Sequence, residues 1–133
     1  MTGPARRTRP ESGARGRTEG RFAEAIAALY LMLKGYQILG FRLKTPSGEI
    51  DLLARKGRTL AVVEVKRRAT VEIALASISS QQRDRLLRAA RTLAARRAGL
   101  RHLALRLDLI ALAPGRLPRH VPNIFNDLDH GSA

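Results

Sequence analysis

The stretch GEIDLLARKGRTLAVVEVKRR (48–68) reads as two strands with a turn between them. Residues 49–55, EIDLLAR, form the first strand, Lys56-Gly57 turns the chain, and residues 59–67, TLAVVEVKR, form the second. The Val, Leu and Ala content of the second suggests a central position with both faces covered. Side chains alternate along a strand, so Glu64 and Lys66 share one face while Val63 and Val65 share the other. On the preceding strand Glu49 and Asp51 share a face. A hairpin at Lys56-Gly57 makes the two strands neighbours and lets Asp51, Glu64 and Lys66 converge on one side of the sheet.

Upstream, residues 20–34, GRFAEAIAALYLMLK, read as a helix with Phe22, Ile26, Leu29 and Leu33 on one stripe and Gly35 suited to the stop. Its far side is alanine and leucine too, so cover is expected on most sides. Residues 37–44, QILGFRLK, form a strand leading into a turn at Thr45-Pro46-Ser47-Gly48. Downstream, a second helix spans about 80–98, with Ser79 or Ser80 as cap and Gly99 just past its end. Leu86, Leu87, Ala90, Leu93 and Ala94 share one face of it, and Arg85, Arg88, Arg91 and Arg96 the opposite one. Residues 102–112, HLALRLDLIAL, alternate as a strand, with His102, Arg106 and Asp108 on the outward side. RHVPNIFN (119–126) suits a short edge strand, because Pro122 cannot donate to a ladder. The fold class is α/β, a mixed central sheet flanked by helices in the order helix-strand-strand-strand-helix-strand.

The chain has 133 residues, enough for one domain with a single core. It has no cysteine, which rules out disulfides, thiolate zinc sites and thiol catalysis and fits a cytoplasmic location. The formal charge is +14, with arginine supplying 21 of the 25 basic residues. Codon bias explains that ratio but not the scarcity of acids. Such a field favours a polyanion, and nucleic acid is the expected partner. The arginine face of the second helix is either a solvated face or a ridge facing phosphates. No apolar run reaches the roughly 18 residues of a membrane span, and no membrane partner is expected. Residues 1–18 read as a basic disordered arm and 127–133 as a tail. His102 and His120 are expected at the surface or in loops, without ligand spacing.

Two neighbouring carboxylates repel, which raises one pKa unless a cation sits between them. Mg²⁺, or Mn²⁺ in its place, suits oxygen ligands and keeps waters that a substrate phosphate can replace. A lysine beside them can orient or deprotonate a water and offset charge on the phosphorane. Acid, then acid-x-lysine, on paired strands of a very basic protein therefore suggests metal-assisted phosphodiester cleavage. The bland reading is a cross-strand salt bridge. Glu24, the single charge between Phe22 and Lys34, becomes a third carboxylate if the sheet covers its side of the helix.

GRFAEAIAALYLMLKGYQIL, GEIDLLAR, VVEVKRR, RLDLIAL and HVPNIF together resemble the YraN family over roughly residues 16–126. These are small bacterial proteins assigned to the restriction-endonuclease-like PD-(D/E)xK fold and similar to archaeal Holliday junction resolvases. The resemblance implies a nuclease-like domain over 19–126. It implies metal binding by Asp51, Glu64 and the backbone carbonyl of Val65, with Lys66 as catalytic lysine and Glu24 as the first-helix glutamate. Relatives commonly carry a lysine where this chain has Gln82. The loop ATVEIALASISS after the lysine is shorter and more apolar than expected and would border the substrate. Arg67, Arg68, Gln82, Arg85, Arg88 and Arg91 are the expected nucleic-acid contacts. The expected function is Mg-dependent endonuclease cleavage of DNA, including branched or junction DNA in repair or recombination, with a homodimer allowed. The alternatives are a non-catalytic DNA- or RNA-binding protein that retains the nuclease fold and, more weakly, a basic structural partner of ribosome or membrane.

Overall fold

The computed structural model describes residues 20–124; the basic arm at 1–18, the tail at 127–133 and the end of the expected edge strand lie outside them. Helix α1 covers residues 20–33. Strands β1 (Gln37–Thr45), β2 (Gly48–Lys56) and β3 (Thr59–Arg67) follow, then helices α2 (Val71–Ala76) and α3 (Ser80–Arg96), strand β4 (Ala104–Leu112) and strand β5 (Arg119–Val121). The five strands form one mixed sheet in the order β1-β2-β3-β4-β5. β1, β2 and β3 pair antiparallel, β3 and β4 pair parallel, and β5 closes the edge antiparallel to β4. The parallel step needs a crossover, and α2 and α3 supply it.

Local chemistry sets the turns. Lys56 pairs with Thr59, so the β2–β3 loop is only Gly57-Arg58, and Gly57 takes the φ of 60° that two-residue hairpin turns require. Thr45 pairs with Gly48 across Pro46-Ser47, and the Thr45 hydroxyl donates to the Gly48 carbonyl at 2.7 Å. Gly48 has a φ of 135° and lies against the Arg85 guanidinium, where a Cβ would collide. At the start of α3, Ser79 Oγ accepts from the Gln82 N–H and Gln82 Oε1 accepts from the Ser79 N–H, a full capping box.

The sheet separates two cores. Ile50, Leu53, Leu60, Val62, Leu107 and Leu109 pack against α3 through Leu86, Ala89 and Ala90. Leu52, Ala54, Ala61, Val63 and Ile110 pack against Ala27, Ala28 and Leu31 of α1. β3 is the middle strand, with Leu60, Ala61, Val62 and Val63 all buried, as its composition implied.

Three expectations are corrected here. α1 does not bury the Phe22–Leu33 stripe: Phe22 is 68 % exposed, Leu29 57 % and Leu33 80 %, while Ala23, Ala27, Ala28 and Leu31 are buried. Small side chains let the helix lie close on the β-branched and leucine surface of the sheet. The stretch after Arg68 is not a plain loop but contains α2, capped by Thr70 Oγ1 accepting from the Ile73 N–H at 3.1 Å. Strand β4 begins at Ala104, so His102 lies outside it.

Candidate active site

Alternation fails at one place in β2, and that failure builds the site. Ile50 packs in the α3 core and Leu52 in the α1 core, although strict alternation would put them on one face. Opposite, β1 pairs Phe41 with Leu52 and Leu43 with Ile50, and between them Arg42 adopts a φ of 50°. A left-handed arginine costs roughly 1–2 kcal/mol, so the irregularity is held in place by its surroundings. The β2–β3 ladder ends at the Leu52–Val63 pair. Beyond it Asp51 Oδ2 accepts from the Val65 N–H at 3.0 Å. A side chain thus takes over where the ladder stops, and the aspartate is pinned to β3.

Asp51 and Glu64 meet there. Their carboxyl groups are close enough to share a hydrogen bond when Glu64 is protonated, and Lys66 Nζ stands 3.4 Å from Glu64 Oε2. Burial pushes the Glu64 carboxyl up to about 7; the Asp51 charge and the shared hydrogen bond push the same way, and Lys66 opposes them. The three residues that sequence spacing placed on one side of the sheet do converge.

Glu24 reaches the same neighbourhood from α1, buried and within the field of Asp51, but its closest partner is Arg42, whose Nε donates to Oε1 at 2.7 Å. Burial raises its pKa, Arg42 opposes this, and Asp51 and Glu49 add to the rise. A cavity of about 420 Å³ is lined by Gly20, Ala23, Glu24, Asp51, Glu64, Val65, Lys66, Arg67 and Arg68. Seven predicted site residues thus surround one space. Arg42 was not anticipated; its signal lies only in the chain geometry, since nothing in QILGFRLK announces a left-handed residue.

Asp51 and Glu64, close enough to share a proton when Glu64 is neutral, form an oxygen pair that a hard divalent cation would satisfy once both are ionised. Val65 lines the same cavity, which keeps its carbonyl a candidate third oxygen. Among the described residues, no three Asp, Glu, His or Cys side chains gather as a ready-made ligand cluster. The residues fit an ion that completes its shell with water, carbonyl or substrate oxygens.

The other predicted contacts sit on the α3 side. Gln82, Arg85 and Arg88 line a separate depression with Ser79, Gln81 and Asp84, while Arg91 is exposed farther along the helix. The capping box engages the Gln82 oxygen, which leaves its amide nitrogen as the donor.

A second carboxylate, Asp108, pairs with Arg106 but is fully buried rather than on an outward face. It accepts from Arg106 Nε and Nη2, each at 2.8 Å, lies 2.8 Å from His120 Nε2, and accepts from the Asn123 N–H at 2.9 Å. Burial alone would raise its pKa, but the bonds from His120, Arg106 and Asn123 outweigh that and hold it below the ordinary aspartate value. His120 is likewise not a surface residue: its side chain is 2 % exposed, with Nδ1 at 2.6 Å from Lys34 Nζ. None of these Asp108 bonds reaches Asp51, Glu64 or Lys66.

Among the described residues, no helix is long and apolar enough to cross a membrane. Comparison with known proteins finds relatives along most of the chain. A protein of Caulobacter vibrioides is 63 % identical over 117 residues, covering 88 % of this chain and 94 % of the relative. A protein of Methylorubrum extorquens is 49 % identical over 118 residues, covering 86 % and 92 %. A protein of Parvibaculum lavamentivorans is 45 % identical over 121 residues, covering 91 % of each. Each is described as a UPF0102 protein, and the profile of the uncharacterised protein family UPF0102 matches residues 23–112. The chain belongs to the UPF0102 (YraN) family.

Proposed function

We propose that the chain is a divalent-metal-dependent endonuclease of the restriction-endonuclease-like class, cleaving DNA phosphodiester bonds. The observation that carries this reading is the Asp51–Glu64 carboxyl pair beside Lys66 in a chain of charge +14. Asp51, Glu64 and the Val65 carbonyl would hold the ion. A bound Mg²⁺ would supply positive charge for a phosphate oxygen and a more acidic water.

The chain's own residues do the rest. Asp51 is fixed by the Val65 N–H, so its second oxygen is presented with little freedom. Lys66 donates to a phosphate oxygen or a water and offsets the charge that develops on phosphorus. Glu24 faces the cavity from the helix side and, held by Arg42, orients a water rather than replacing a ligand. Arg67 and Arg68 border the same cavity and supply charge for the flanking phosphates. The raised Glu64 pKa supports the reading because an acid site that needs a cation to ionise fully is a common mark of function.

The test is nicking of linear and branched DNA with Mg²⁺. The wild type is expected to cut, and Asp51→Ala to lose at least about a hundredfold in rate. Equal rates for the two would remove the proposal. The second reading is a DNA-binding protein that keeps the fold without chemistry. It is favoured by the Glu24–Arg42 pair, which ties up the third carboxylate. DNA binding with no cleavage under Mg²⁺ or Mn²⁺ would establish it.

A further inference from the structure

Beside the acid cavity the surface opens into an apolar groove of about 670 Å³. Phe22 and Ile26 of α1 form one wall, and Leu112 and Pro114, at the end of β4 and just beyond it, form the other. Arg67 and Arg68 line both the groove and the acid cavity, so the two adjoin across them. Phe22, two residues before Glu24, is 68 % exposed. A protein that touches only the outside of a duplex meets phosphates and sugars, with the bases paired and stacked within. An apolar slot separated from a phosphodiester site by two arginines has chemistry for something else.

We propose that this groove receives an unpaired nucleobase of the DNA strand whose backbone lies at Asp51 and Glu64, with the Phe22 ring as its stacking partner. The proposal rests on the cleavage reading for where the backbone runs, and it names the substrate class: DNA with an unpaired nucleotide next to the phosphate addressed. Arg67 and Arg68 complement the phosphate between the two subsites, and the groove, apolar and open, complements the face of any base. A base already unpaired enters without the cost of opening a pair, so such a site discriminates for flaps, gaps and branch points over continuous duplex.

The test is binding without cleavage, in chelator, with the full chain. The probes are a continuous duplex and the same duplex carrying a single-stranded flap with 2-aminopurine at its base. Quenching of the 2-aminopurine on binding is expected. Phe22→Ala should weaken flap binding about tenfold while leaving duplex binding unchanged, and Phe22→Trp should restore it. The high exposure of Phe22 keeps these variants clear of the core. Equal effects of Phe22→Ala on both probes, or no effect, would overturn the proposal. So would a change of sedimentation in Phe22→Ala with the flap-to-duplex ratio intact, which would assign the groove to a second copy of the chain. A protein that cuts DNA but ignores Phe22 refutes this inference alone. One that stacks the base but never cuts refutes the cleavage reading alone.

Discussion

The smallest unit of the account is one carboxyl group. Glu64 has a folded pKa raised from 4.5 to about 7. The folded protein therefore holds that proton more tightly than the unfolded chain. Its contribution to stability is complete below pH 4.5 and is lost as pH rises to about 7. At one pKa unit per about 1.4 kcal/mol, the metal-free protein loses up to roughly 3 kcal/mol across that window. Glu64→Gln should thus raise stability at pH 8 by about 2 kcal/mol and flatten the profile between pH 5 and 8, as read by denaturant unfolding in chelator. An unchanged profile would show that Glu64 is an ordinary surface pair with Lys66. This trio was legible in the sequence because charges inside runs such as LAVVEVK break the apolar pattern, while the break in alternation at Asp51 was not. The burial of His120 and Asp108 was not legible, since RLDLIAL and RHVPN look like outward strand and loop until β5 folds back on β4.

At the scale of elements, the same sheet carries two polar anchors. Asp108 joins β4 to β5 through His120 and to the start of β1 through Arg106 and the Tyr36 hydroxyl, which lies 2.5 Å from Arg106 Nη2. Asp108→Ala would leave a guanidinium, an imidazole and the Asn123 N–H without their shared acceptor. A cost of about 3–5 kcal/mol is expected, measured by denaturant midpoint; a loss under about 1 kcal/mol would contradict the anchor. Because the Asp108 pKa is depressed below 3.8, its stabilisation is present above that value and fades as pH falls through the folded value, so the variant should also lose part of the acid limb. The element order, the β2–β3 hairpin and the central place of β3 followed from turn chemistry and composition, while the parallel β3–β4 pairing did not. For helix α1 the sequence predicts cover on most sides, but the bulky Phe22–Leu33 stripe is left largely exposed. Packing instead chose the alanine face, whose small side chains fit against Leu52, Ala61 and Val63. Helix α2 was missed because six residues give no measurable period.

For the whole molecule, charge dominates. If the +14 chain binds DNA as proposed, its affinity falls steeply as salt rises, and each exposed arginine at a phosphate contributes about one unit of log–log slope. Arg88→Ala and Arg91→Ala should each lower that slope by about one while leaving folding intact; slopes equal to wild type would make the α3 face a solvated one. The same charge repels cations everywhere except at a built site, so uptake of a metal by this protein is a stringent observation. Calorimetric titration of Mn²⁺ into the full chain at pH 7, in two buffers of different ionisation heat, tests the carboxyl pair most directly. One ion per chain is predicted, with release of about half a proton because Glu64 titrates near that pH, and with uptake abolished in Asp51→Asn. No uptake, or an isotherm that Asp51→Asn leaves unchanged, would contradict it.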